Sequence, residues 1–347
     1  MELVAGPREP LLPAGSTLFG QCHAATLAAL PDGGLLAAFF SGEREGAGDT
    51  AIWLAARRGG NWLAPRRLFA EPGLAHWNPV LHAEGPRVWL FYKVGPDVHR
   101  WITRLAVSAD GGASWSEPQP LVPGETAPRG PVKNKLLVLA DGTWLAPGSV
   151  EDSTHWNAFV DRSTDHGATW QRSDVPLPRP AVPAAATEEV WNGLAQGALW
   201  ETDPARTFAW DGVIQPSLWQ SSPDRVHMLL RSTRGRIYRS DSADAGRSWS
   251  PAFATRMPNN NSGLDLVRLI DGVLLLACNP VAGNWASRSP LSLLSSSDNG
   301  ETWTYQLDLE TRAGEFSYPA IIASEGGMHV AYTADRQNIV YRQVGWQ

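Results

Sequence analysis

The chain has 347 residues, 29 of them Lys or Arg against 35 Asp or Glu, for a formal net charge of -6. With 43% apolar and 18% charged residues it carries enough apolar material for a large core, which excludes wholesale disorder. A mildly acidic chain has no general electrostatic drive toward nucleic acid or an anionic membrane, so neither is an expected partner. Only three of the cations are lysines, Lys93, Lys133 and Lys135; the rest are arginines.

From Met1 to Gly20 no cationic start is followed by an apolar core, so no secretion signal is expected. No apolar run approaches the roughly 18 residues of a membrane span. The cytoplasm is the expected compartment, with secretion left open. Cys22 and Cys278 do not make a disulfide framework and read as reduced and partly buried.

Apolar stretches separated by tight turns then recur along the chain. The turns are Asp32-Gly33, Glu84-Gly85, Asp141-Gly142, Pro223-Asp224, Asp271-Gly272 and Glu325-Gly326. Asp-Gly between apolar runs predicts a hairpin, because Gly tolerates the positive φ of the turn. A second element, Ser-x-Asp-x-Gly-x-Ser/Thr-Trp, follows the hairpins at Ser108 to Trp115, Ser163 to Trp170, Ser242 to Trp249 and Ser296 to Trp303. Arg57 to Trp62 is a degenerate copy. The tryptophans at 62, 115, 170, 249 and 303 are spaced by 53, 55, 79 and 54 residues.

Six such repeats, each long enough for four strands and with no helical periodicity, predict an all-β fold. The expected architecture is a six-bladed β-propeller with four-stranded antiparallel blades, a single domain over 1–347. The long step marks an insertion at about 187–211 that carries Trp191, Trp200 and Trp210 and is expected to pack as a lid or side wall.

In a hairpin, the start of the first strand and the end of the second lie at the same end. At about 3.3 Å per residue, eight residues cover the depth of a blade. The strand starts supply His23, Asn78, Lys133, Asn134, Lys135, Gln215, Asn261, Ser262, Asp265, Glu315 and Tyr318. The strand ends and following loops supply Glu43, Arg44, Asp49, Lys93, Arg231, Asn279 and Arg288. Apolar strands do not require this polar set, and all three lysines fall in it. Side-chain alternation would put Lys133 and Lys135 on one side of their strand. Arg and Lys beside Glu, Asn and Gln suit an anion surrounded by hydroxyls, an acidic sugar. No phosphate loop, metal-ligand spacing or calcium-loop pattern is present, so no metal or cofactor is expected.

The Ser-x-Asp-x-Gly-x-Thr-Trp element resembles the Asp box of the sialidase (neuraminidase) superfamily, whose members carry BNR repeats. The resemblance covers nearly the whole chain. It implies structural roles for Asp110, Asp165, Asp244 and Asp298, which cap their own turns, while each Trp packs into the blade. It implies a retaining glycosidase with a tyrosine nucleophile. Tyr318, in Glu315-Phe316-Ser317-Tyr318-Pro319, matches the nucleophile. Asp49, after Glu43-Arg44-Glu45, matches the general acid, with Arg44 as a substrate contact; Glu43 itself reads as an orienter of Arg44 rather than a chemical group. Arg231 and Arg288 match the second and third arginines of the carboxylate-binding triad.

Two positions depart from the family. Cys22-His23-Ala24-Ala25 stands where the first triad arginine belongs. Gln215 stands where a glutamate activates the tyrosine, and an amide cannot take its proton. Glu315 is one candidate replacement base, and Lys133 with Lys135 are candidates to lower the tyrosine pKa or replace the arginine. Each residue has a plainer reading as well: Tyr318 and His23 as packed strand residues, Asp49 as a turn cap, the arginines as ion-paired. Trp77 and Trp156 are candidate sugar platforms. Three functions follow: an exo-glycosidase for a sialic acid-type sugar, a lyase on a uronic acid glycan with Tyr318 or His23 as base, and a non-catalytic glycan-binding propeller.

Overall fold

Apolar runs of eight or nine residues, such as Gln21–Ala29 and Leu35–Gly42, pair as antiparallel strands in the computed structural model, which describes residues 2–13, 15–179 and 210–347. Every regular element among the described residues is a strand, as the repeat pattern requires. Leu35–Gly42 is buried along its whole length, which is why it reads as a continuous apolar run rather than an alternating one. The 187–211 insertion, with Trp191 and Trp200, lies outside the described residues up to 209.

The chain divides into two compact units, Met1–Lys135 with Tyr318–Gln347, and Leu136–Ser317. In the first unit, Gln21–Ala29, Leu35–Gly42 and Ala51–Arg58 form one meander, with Asn61–Trp62 and Arg66–Phe69 on its outer edge. Ala75–Glu84, Arg87–Gly95, Ile102–Ser108 and Gln119–Pro120 form the next. The last runs Phe316–Ser324, Gly327–Ala334, Asn338–Trp346, and is completed by the N-terminal strand Leu3–Ala5. The second unit holds one four-stranded sheet, Asp265–Arg268 to Thr304–Glu310, and one eight-stranded sheet. The larger sheet is two meanders joined by a short parallel bridge, His155 to Asp211 and Trp156 to Gly212. Each unit has its own apolar core, around Phe39, Phe40 and Leu90 in the first and around Leu229, Leu230 and Leu276 in the second.

The hairpins form where the turn signals stand, but the Asp-Gly turns are longer than two residues. Ala29 pairs with Leu35, so Asp32-Gly33 lies in a five-residue loop, and the same spacing separates Val138 from Trp144 and Arg268 from Leu274. The Asp side chain closes each loop by accepting the N–H two residues on, at 2.9 Å from Gly34 and Thr143 and 3.0 Å from Val273.

The four Asp boxes are built alike. Asp165 accepts the Thr169 hydroxyl at 2.5 Å, the Thr169 N–H at 2.9 Å and the Ser163 hydroxyl at 2.7 Å, while Ser163 Oγ accepts the Gly167 N–H at 2.8 Å. The residue between Asp and Gly is left-handed in every copy, at φ 66° for Gly111, 53° for His166, 58° for Ala245 and 60° for Asn299. The Arg57 to Trp62 copy keeps its tryptophan beside Tyr341 but turns through Gly59-Gly60 without a carboxylate.

A second recurrence sits at the heads of the first strands. Ala24, Asn78, Lys133, Gln215, Asn261 and Tyr318 have φ between 43° and 67°. Register breaks coincide with three of them, between His23 and Thr26, Trp77 and Val80, and Ile214 and Ser217. Proline follows Asn78, Gln215 and Tyr318, and proline within a strand cannot donate to the ladder, so the strand must bulge there. A left-handed L-residue costs about 1–2 kcal/mol, so six of them are held in place by their surroundings.

The Asp boxes also bear on stability in acid. Hydrogen bonds, led by those from the Thr169 and Thr302 side chains, hold the Asp165 and Asp298 carboxyls at about 2, against an ordinary 3.8, and the Ser114 hydroxyl holds Asp110 lower still. Values depressed in the folded state stabilise it fully above the ordinary carboxylate range, and that stabilisation is lost as pH falls through the folded values. Urea midpoints followed by tryptophan fluorescence are therefore expected to hold steady down to about pH 4 and to drop toward pH 2. Replacing Asp110, Asp165 and Asp298 together by Asn is expected to flatten that limb. An unchanged acid limb in the triple variant would remove the boxes as its cause.

Candidate functional site

In the first unit, His23 and Lys133 lie beside Tyr318 and the residue after it. The left-handed backbone at Tyr318 turns its ring out of the strand alternation, and the His23 ring lies against it at 4.2 Å between centroids, tilted by 48°. His23 is buried, with Nδ1 at 2.9 Å from Thr333 Oγ1, and Thr333 Oγ1 also accepts the Ala24 N–H. Lys133 Nζ donates to the Pro319 carbonyl at 2.5 Å and to Asn134 Oδ1 at 2.8 Å. It therefore braces the backbone directly after Tyr318.

Lys133 and Lys135 do not share a strand side as alternation required. Residues 131–136 form no strand, Lys133 is left-handed at φ 67°, and Lys135 is only half-buried. Lys93 is fully buried and donates to Thr103 Oγ1 at 2.5 Å and to the Arg129 carbonyl at 2.6 Å, tying the 129 segment to its meander. Asn78 is buried at φ 43°, and its side chain makes no hydrogen bond among the described residues. Trp77 packs in the core against Trp101, which removes it as a sugar platform.

Glu43, Arg44 and Asp49 stand in an exposed loop. Asp49 Oδ2 accepts the Glu43 N–H at 2.9 Å and closes the loop. Glu43 forms no ion pair with Arg44 among the described residues, so it does not orient that arginine. Glu45 pairs instead with Arg336.

The second unit contributes two buried guanidiniums with different partners. Arg231 donates from Nε to Asn261 Oδ1 at 3.0 Å and from Nη1 to Gln215 Oε1 at 3.2 Å, and its guanidinium lies over Trp156 at 5.3 Å. These amide oxygens orient the guanidinium. Trp156 packs against Trp210 and Trp285, forming an aromatic wall beside Arg231.

Arg288 is engaged differently. Its Nη1 meets Glu315 Oε1 at 2.5 Å and Ser317 Oγ at 3.3 Å, and Ser317 Oγ donates to the same carboxylate at 3.0 Å. Glu315, a candidate base from its sequence position, is the counter-ion of Arg288. Asn279 donates to the Pro290 and Phe316 carbonyls at 2.8 and 2.9 Å and braces the same segment. Asp265 accepts the Ser217 hydroxyl at 2.7 Å, and Ser262 is buried with its hydroxyl unpartnered among the described residues.

Asn261 is the functional residue whose place the sequence position alone did not resolve. It bridges Arg231 and Asn284, with its Nδ2 donating to Asn284 Oδ1 at 2.7 Å. The run Asn259-Asn260-Asn261 is the available signal, since consecutive asparagines favour a left-handed turn. No group of metal-ligating side chains occurs among the described residues.

Residues 33–330 match the family described as BNR repeat-like domain. A search of the curated proteins finds no match. Among solved structures, a Hadza microbial sialidase, Hz136, is 16% identical and superposes with a TM-score of 0.71, covering 97% of this chain and 68% of that one. A Dyadobacter fermentans protein of unknown function is 13% identical at a TM-score of 0.73, with 99% of both chains covered. Trypanosoma rangeli sialidase is 14% identical at 0.69, and this chain spans 55% of its length. Such identities speak for the fold, while the family match spans most of the sequence: the chain belongs to the BNR repeat-like domain family.

Proposed function

We propose that this protein is an exo-acting glycosidase that releases a carboxylated, sialic acid-type sugar from a glycan with retention, using Tyr318 as nucleophile. The packing of the His23 ring on Tyr318, with 4.2 Å between ring centroids, is the observation behind this reading. Gln215 cannot accept a proton and Glu315 is engaged by Arg288, so His23 takes the role of base. The tyrosine oxygen attacks the anomeric carbon as the leaving oxygen takes a proton from Asp49, and water then cleaves the tyrosyl intermediate. Within its own unit, Arg231, set by Gln215 and Asn261 against Trp156, is a group suited to a carboxylate. The repeated meanders are the blades of a six-bladed propeller, a reading supported by one left-handed residue at the head of each first strand.

A lyase reading on a uronic acid glycan is favoured by the same pair, since imidazole and phenol also serve as base and acid in a β-elimination. Mass spectrometry of products from sialylated and uronic acid glycans separates the readings. A product heavier by one water is expected. An unsaturated sugar absorbing in the ultraviolet supports the lyase instead, and intact glycans across the panel leave a binding protein. His23→Gln and Tyr318→Phe are each expected to slow turnover by about 100-fold or more. Undiminished turnover in Tyr318→Phe would discard the nucleophile.

Glu315 gives a separate expectation. Removing one partner of a buried ion pair costs about 3–5 kcal/mol, so Glu315→Gln is expected to destabilise the protein strongly in urea titrations. A fully stable variant that has lost turnover would reassign Glu315 as the base.

A further inference from the structure

We propose a second reactive centre, a nucleophilic serine at Ser221, served by His227 and Asp241, that transfers the acyl group of small carboxylic esters. Ser221 Oγ lies 2.7 Å from His227 Nε2, and His227 Nδ1 lies 2.5 Å from Asp241 Oδ1. This is the order hydroxyl, imidazole, carboxylate that activates a serine. Ser221 is half-buried and sits at a register break between Gln220 and Ser222, beside the Pro223-Asp224 turn. A bulge of this kind re-aims a side chain out of the strand alternation.

The tautomer follows from a neighbour. Trp219 Nε1 can only donate, and it donates to Asn299 Oδ1 at 2.7 Å, which fixes the amide orientation. Asn299 Nδ2 therefore faces His227 Nε2, at 3.1 Å. That N–H donor at Nε2, with the acceptor-only Asp241 carboxylate at 2.5 Å from Nδ1, places the ring proton on Nδ1, although an Arg239 N–H also faces Nδ1 at the longer 3.2 Å. A base for the serine needs this form, in which the Nε2 lone pair can take the Ser221 proton. Trp219 stacks on the imidazole at 5.0 Å and holds its plane.

Charges around the ring are mixed. Arg239 Nη2 lies 3.2 Å from Nδ1 and opposes an imidazolium. Asp241 and Glu301 both pair with Arg239, at 2.9 and 3.0 Å, and offset it.

In the proposed step, Ser221 Oγ bonds to the ester carbonyl carbon and its proton passes to His227 Nε2. The tetrahedral oxyanion takes the second Asn299 amide hydrogen. Collapse breaks the bond to the alcohol, which leaves with the proton from His227, and water releases the acid by the same steps in reverse.

A comparison lies in the hairpin of the last meander. Ser324 Oγ meets His329 Nε2 at 2.8 Å, but Nδ1 there meets the Tyr341 hydroxyl at 2.7 Å. Burial, and to a lesser extent Arg57, lowers the pKa of His329 to about 4. With no carboxylate to support an imidazolium, Ser324 is expected to be inert.

The full chain is to be treated with a fluorophosphonate probe, whose phosphorus is attacked by an activated serine with loss of fluoride, and the labelled peptide identified by mass spectrometry. Labelling at Ser221 and not at Ser324, with p-nitrophenyl acetate hydrolysis blocked by the probe, is the expected result. Ser221→Ala is expected to abolish both, and His227→Gln and Asp241→Asn to slow labelling by about 100-fold or more while circular dichroism stays that of a β-protein. Tyr318→Phe is expected to leave labelling unchanged, which separates this centre from glycan cleavage. An unlabelled wild-type Ser221, or equal labelling of Ser221 and Ser324, overturns the proposal without recourse to any variant.

Discussion

A strand that must bulge at its head is the constraint on which the placement of this protein's buried polar groups depends. Proline after Asn78, Gln215 and Tyr318 removes a ladder donor, and the preceding residue turns left-handed in response. The turn takes the side chain out of the two-fold alternation that would commit it to one sheet face. Long polar and aromatic groups can then stand at the strand head while the rest of the strand stays apolar and packed. Lys133 and Asn261 reach the same backbone state without proline, through a bend and an asparagine run. The strain of each position is borne by an apolar core that is buried on both faces of its central strands.

Two kinds of arginine site result. Arg288 is neutralised by Glu315 at close range, a pair whose function is to hold its segment. Arg231 is set by amide oxygens and an indole face, which fix its direction. As an amide, Gln215 keeps the geometry of the arginine contact.

The all-β class, the hairpins and the Asp boxes were legible in the sequence because each is local. An Asp box is complete within eight residues, and an Asp-Gly loop within five. The polar positions at strand heads were legible too, since apolar strands have no use for them. Partners were harder to read. Lys93 and Lys133 were visible as rare cations, but their acceptors are backbone carbonyls at Arg129 and Pro319, and carbonyls leave no mark in a sequence. Alternation placed Lys133 and Lys135 on one strand face, and the left-handed backbone at Lys133 defeats that rule. The Ser221, His227 and Asp241 alignment was equally hidden, because it depends on a bulge and on an asparagine 72 residues beyond His227.

The two cysteines have a consequence of their own. Both are fully buried, deeper than their partial burial in the sequence reading, and burial pushes each thiol up to about 12. Neither ionises at physiological pH, and neither meets solvent in the native state. Cys22 belongs to one compact unit and Cys278 to the other. The chain thus carries one silent thiol in each half, and the order in which a denaturant exposes them to an alkylating reagent records which half opens first.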